Sequence, residues 1–190
     1  MKPETTEDIL ELMNDYIVSA ALGTAMELGV FWLLAEKPLS APNVAQSLNI
    51  PLNRCHNWLQ LLCRLGLLED SAEGYAPSII AREAILNFQS QDTWAFQARE
   101  DRDGSLFVRD LALNISKPMS AWQARNLTPP DYFQQIQEDP SYAARLTRKL
   151  YEIHGSLAEQ LANVLDLRGV KLLLDLGGGS GVVLFAEKSK

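Results

Sequence analysis

Apolar positions recur at three- and four-residue spacing along most of this chain, so the pattern predicts helices nearly everywhere and strands in only two places. Ile9, Leu12, Met13, Tyr16, Ile17, Ala20 and Ala21 make the first such run. Thr5 or Thr6 is its expected cap, with Glu7, Asp8 and Glu11 in or near the first turn, where carboxylates favour the positive end of the helix dipole. From residue 22 to residue 35 nearly every face is apolar. A helix apolar all round must be covered on all sides, and in so small a domain the expected cover is a second copy of the chain.

Pro38 and Pro42 interrupt the pattern, and Ser40 can cap a short helix over residues 43–48. Asn53 is the expected cap of a following helix over residues 54–65, stopped by Gly66. Residues 67–77 then read as two short strands around a turn near Glu73 and Gly74. Helix, turn, helix and hairpin in this order predict a winged helix.

Residues 79–138 alternate short apolar faces with polar stretches; residues 99–104 read as a solvated helix face or connector. Pro118, Pro129 and Pro130 punctuate the segment, and residues 131–137 form another short helical pattern. Asp139 and Pro140 supply a cap and a first helical position. After them Tyr142, Leu146, Leu150, Ile153, Leu157, Leu161 and Val164 hold helical spacing to a stop near residues 166–169. Residues 171–176 form a continuous apolar run, the pattern of a parallel-sheet strand buried on both faces.

That run ends in Asp175-Leu-Gly-Gly-Gly-Ser-Gly181, followed by an apolar helix start at residues 182–188. Glycines let the backbone approach a ligand closely. The dinucleotide fingerprint fails because Val182 or Leu184 occupies its third glycine position, and the phosphate loop fails at Val182. Asp175, Gly177, Gly179 and Gly181 instead satisfy acid-x-Gly-x-Gly-x-Gly. This resembles the first motif of the S-adenosylmethionine-dependent methyltransferases. Leu28-Gly-Val-Phe31, residues 61–68 and Ile153-His-Gly155, in that order before a complete glycine motif, extend the likeness to the small-molecule O-methyltransferases that begin with a winged-helix dimerisation domain.

The resemblance implies a mainly α winged-helix dimerisation domain over residues 1–90 and connecting helices over 91–168. Residues 169–190 would be the opening strand, loop and helix of an incomplete α/β Rossmann-like domain. It implies S-adenosylmethionine as cofactor, contacted by Asp175, Gly177, Gly179 and Gly181, and methyl transfer to a small-molecule hydroxyl. The His that deprotonates the acceptor in this family lies well beyond the glycine motif, so no catalytic residue is assigned. The ribose-gripping acid is expected about 20 residues past the glycines, beyond these 190, so this N-terminal portion is expected to be inactive alone. Two other readings are a stand-alone dimerisation module without catalysis and a winged-helix DNA-binding regulator.

Charge argues against the last. The net charge is −7, and residues 1–85 hold five basic and eleven acidic side chains. The groove helix offers Arg54, Asn57, Gln60 and Arg64, but the wing carries Glu69, Asp70 and Glu73 and no base, where phosphate contacts would be needed. Neither nucleic acid nor membrane is an expected partner; a homodimer and a small methyl acceptor are. Cys55 and Cys63 lie on one helix about 12 Å apart along its axis, too far to bridge. Two thiols and an acidic start suit the cytoplasm. No metal site is expected: His56 and His154 lack partners at ligand spacing and read, like Tyr151, as structural or packing residues.

Overall fold

The computed structural model describes residues 2–120, 122, 123, 126, 128 and 132–188. The chain is mainly helical and divides into two compact units, residues 1–111 and 112–190.

In the first unit, α1 (Thr6–Leu28) begins on a capping box. Thr5 Oγ1 accepts the Asp8 N–H (3.1 Å), and Asp8 Oδ2 accepts the N–H groups of Thr5 and Glu4 (2.8 Å each). These donors hold the Asp8 carboxyl below its ordinary pKa, the Glu4 amide contributing most. Gly29 takes a left-handed conformation (φ 71°) and closes α1 by donating its N–H to the Ala25 carbonyl (3.1 Å). The chain then bends by 58° into α2 (Val30–Glu36).

The expected all-round apolar helix over residues 22–35 is therefore two helices, and its cover is internal. Ala25, Met26, Val30, Phe31 and Leu34 are buried in the unit's own core, so the reason given for a second copy does not hold there. The first half of α1 is where apolar side chains stay outside: Ile9, Leu10, Leu12, Met13, Tyr16 and Ile17 are all 46–70% exposed.

Helix α3 (Ala41–Leu48) follows Ser40, which caps it without a side-chain hydrogen bond. Helix α4 (Leu52–Arg64) starts from Pro51 rather than Asn53, which lies within its first turn. Cys55, Leu59 and Leu62 recur every three to four residues on its buried face. Its end is a Schellman turn: Leu67 N–H reaches the Leu62 carbonyl (3.0 Å) and Gly66 N–H that of Cys63 (2.9 Å), with Gly66 at φ 72°.

Strands β1 (Leu68–Ser71) and β2 (Gly74–Pro77) pair antiparallel, with Asp70 opposite Tyr75. Leu39 adds a bridge on the far side of β2, exchanging both backbone hydrogen bonds with Tyr75. Tyr75 seals the hairpin to the core, and its hydroxyl accepts from Gln60 Nε2 (2.8 Å). Beyond the hairpin, α5 (Ile79–Ala81) continues as a π turn (Arg82–Leu86), and α6 (Gln91–Arg109) packs along α1. Arg102 and Glu27 tie the two helices together with paired hydrogen bonds (2.6 and 2.8 Å). Residues 99–104, read as a helix face or connector, lie inside α6.

After α7 (Leu111–Asn114), the second unit holds α8 (Tyr132–Glu138), α9 (Pro140–Val164) and α10 (Val182–Lys188), with α8 and α10 both packed on α9. Pro129, Pro130 and Asp131 lie outside the described residues. Asp139 caps α9 through the Tyr142 N–H (2.9 Å), with Pro140 in the first turn. The expected strand at residues 171–176 is absent. No described strand lies beside this segment to complete its hydrogen bonds, and β1–β2 is the sole sheet among the described residues. Leu172, Leu174 and Leu176 are consequently 72–85% exposed.

Two left-handed glycines should differ in what a methyl costs. Gly66 has open space around it, whereas a Cβ on Gly74 (φ 120°) would lie 2.6 Å from the Leu39 carbonyl carbon. Gly66→Ala should cost about 1–2 kcal/mol through strain alone. Gly74→Ala should cost more, because the Leu39–Tyr75 bridge must also open; urea midpoints in the reverse order would refute this. A second expectation concerns pH. Because Asp8 titrates below its unfolded value, its capping contribution is complete above that value and is lost as pH falls through the folded pKa. Protection factors at Glu4 and Thr5, each exchange rate taken against the intrinsic rate at the same pH, should fall in acid below the ordinary carboxylate range and stay unchanged from pH 6 to 8.

Candidate functional site

The four motif residues sit together in the second unit, between residues 171–174, which form no regular element, and α10. Gly177, Gly179 and Gly181 have φ of 77°, 52° and 72°, while Gly178 and Ser180 between them do not enter the left-handed region. Alternation of this kind curls successive N–H groups toward one concavity, a backbone nest suited to negative or lone-pair-bearing ligand atoms. The Gly181 N–H donates to the Gly178 carbonyl (2.8 Å) and closes the turn onto Val182, which is buried at the start of α10.

Asp175 is half-buried although Leu174 and Leu176 on either side are exposed. The reason lies at Gly178, which the spacing rule passed over. A Cβ there would collide with the Asp175 carboxylate, its Oδ1 only 2.9 Å away. The carboxylate thus lies over a glycine whose missing side chain makes the room. The only available signal was a third consecutive glycine, one more than the motif requires.

The loop rests on α9. A Cβ on Gly179 would stand 3.9 Å from Leu150 Cδ1, whereas one on Gly177 would meet nothing within 4 Å. One turn beyond Leu150, His154 Nδ1 lies 2.8 Å from the Leu150 carbonyl, a bond that orients the ring along its own helix. His56 is exposed on α4, far along the chain from the loop. Among the described residues no group of three or more His, Cys, Asp or Glu side chains could hold a metal. Cys55 and Cys63 are free thiols whose pKa burial pushes up, and Cys55 Sγ contacts the Ala41 carbonyl (3.6 Å). Neither is poised as a nucleophile.

The helix face expected to meet a DNA groove fares differently. Arg54, Asn57 and Arg64 are exposed on α4, but Gln60 is engaged by Tyr75 and by Asp70 Oδ2 (3.1 Å). Glu69, Asp70 and Glu73 of the hairpin are all exposed. No single helix among the described residues is long and apolar enough to cross a membrane.

If Gly178 makes room for Asp175, Gly178→Ala should move the amide resonances of residues 175–181 while leaving those of α4 in place. Unchanged loop resonances would separate the carboxylate from the glycine and undo this account of the turn.

Comparison with known proteins places these features. Residues 10–84 match the O-methyltransferase dimerisation domain. The N,N-dimethyltransferase OxyT of Streptomyces rimosus is 28% identical over 91% of this chain and 50% of its own length. The demethylspheroidene O-methyltransferase of Cereibacter sphaeroides is 25% identical over 95% of this chain and 46% of its own. Human N-acetylserotonin methyltransferase, solved in complex with S-adenosylmethionine, superposes with a TM-score of 0.75 at 22% identity over all of this chain and 57% of that one. The chain thus spans about half the length of the relatives it matches. Over nearly its whole length it resembles about half of each of these methyltransferases, and residues 10–84 within it resemble the O-methyltransferase dimerisation domain.

Proposed function

We propose that these 190 residues are the N-terminal portion of an S-adenosylmethionine-dependent O-methyltransferase acting on a small molecule. Residues 1–90 would be a winged-helix dimerisation domain that forms a homodimer, 91–168 the connection, and 169–190 the opening of a Rossmann-like cofactor domain. The observation that carries this reading is the turn at residues 175–181, where three left-handed glycines alternate with other conformations beneath a seated carboxylate.

The residues fit the cofactor. Bound S-adenosylmethionine supplies an electrophilic methyl group on a sulfonium. Gly177 and Gly179 would offer backbone N–H groups at close range, and Gly181, whose own N–H closes the turn, would let the backbone approach with no Cβ to hold the ligand off. Asp175 would accept hydrogen bonds from the ligand's donors, and Leu150 would floor the turn. None of these residues is positioned to remove a proton from a hydroxyl acceptor, so the proposal assigns them binding alone.

The same geometry supports inactivity of the 190 residues by themselves. With residues 171–176 unpaired and their leucines exposed, the loop lacks a rigid support, and a loosely held site loses affinity to ordering entropy. The exposed acids of the hairpin speak against duplex DNA as a partner. A cytoplasmic setting suits the free thiols of α4. A stand-alone dimerisation module is the second reading, favoured by the large hydrophobic core cluster of the first unit.

S-adenosylhomocysteine titrated into the 190-residue chain tests both readings by NMR. Weak, saturable shifts at residues 175–181 that vanish in Gly179→Val are expected. No shift at all would favour the module without a cofactor, and tight one-to-one binding at micromolar ligand would overturn the inactivity argument.

A further inference from the structure

We propose that Gly178 is a positioning residue for the cofactor: having no side chain, it lets the Asp175 carboxylate lie over the glycine turn with its oxygens open to the ligand. This deepens the cofactor reading above and rests on it.

Gly178 is a glycine where the backbone does not require one. Gly177, Gly179 and Gly181 stand at φ of 77°, 52° and 72°, where a Cβ is strained, but Gly178 lies outside that region. An alanine could follow its backbone. Nor is the loop crowded throughout: a Cβ on Gly177 would meet nothing within 4 Å, and one on Gly179 would make only ordinary contacts at 3.9 Å. At Gly178 the three nearest atoms are the Asp175 Cγ and both of its carboxylate oxygens. One side chain accounts for the whole requirement.

That side chain is used differently from the other aspartates at turns and helix starts. Asp8 and Asp139 accept backbone N–H groups where their helices begin, and Asp166 accepts from the Arg168 guanidinium (2.7 and 2.9 Å). Asp175 is half-buried, yet it accepts no hydrogen bond from any described residue. A carboxylate partly withdrawn from water calls for a polar partner. Held over the turn, it can take a ligand's donors in charge-assisted hydrogen bonds. A methyl group at position 178 would push the carboxylate off the turn, and its acceptors would leave with it.

Two NMR measurements on the 190-residue chain test this, with the α4 amide resonances verifying the fold. The χ1 couplings of Asp175 should report one rotamer in the wild type and an average of several in Gly178→Ala. S-adenosylhomocysteine is then titrated into a cycle of variants. Gly178→Ala and Asp175→Ala should each lower the affinity about fivefold or more. The double variant should bind no more weakly than either alone, because both changes remove one contact. A cost of Gly178→Ala that persists in the Asp175→Ala background would make the glycine part of the turn's own structure and overturn the proposal. Unchanged Asp175 couplings would overturn it too. Averaged couplings in Gly178→Ala, with no wild-type response to the ligand, would instead sink the cofactor reading and the positioning role with it, while the contact between the two residues stood.

Discussion

The first unit depends on the left-handed turn at Gly29. Upstream and downstream of it the sequence is equally apolar, and a residue with a Cβ would favour one continuous helix. A side chain here would be strained by φ of 71° and would run into the Gln91 amide at the start of α6. With glycine, the chain bends by 58°, and α2 sends Val30, Phe31 and Leu34 into full burial. Each such side chain contributes roughly 1.5–3 kcal/mol when removed from water. The same bend leaves α1 beside α6, with its buried residues (Ala21, Ala25 and Met26) all in its second half. One backbone conformation therefore separates a core-forming helix from one whose first half buries no residue.

Local chemistry made much of this legible. Thr5 and Asp139 are caps whose reach is three residues, Gly66 ends a helix by a turn with two defined hydrogen bonds, and the hairpin follows from its strand-turn-strand pattern. Errors arose where the outcome depended on distant partners. The apolar run at residues 22–35 looked uncoverable because periodicity does not reveal that α4, β2 and α6 fold around it. Asn53 was a plausible cap by residue type, but Pro51 enters the helix with a fixed φ of −60° and starts it two residues sooner.

The candidate site divides along the same line. The left-handed glycines could be read from spacing, since the alternation is a property of five consecutive residues. Gly178 could not, because its constraint comes from the Asp175 side chain folding back three residues, an orientation that no motif encodes. The strand before the turn was legible in composition and absent in fact. Its apolar run is the pattern of a strand buried on both faces, but a strand is a relation between two segments, and the run supplies only one of them.

That asymmetry explains why the two units differ in character. Helices satisfy their backbone internally, so α9 can stand as a long helix on local hydrogen bonds, with only Tyr142, Ala158 and Ala162 buried. A parallel strand satisfies nothing internally. Its N–H and C=O groups need neighbours on both edges, and its side chains need cover on both faces. Residues 171–176 have neither among the described residues, yet they carry four leucines, a composition suited to a site that is dry and paired. The glycine turn keeps its shape because its constraints are local: a hydrogen bond from Gly181 to Gly178, a carboxylate over Gly178, and Val182 buried where α10 meets α9. A binding loop can thus be conformationally formed before the sheet that would stiffen it is in place, and shape and rigidity at this site have separate physical sources.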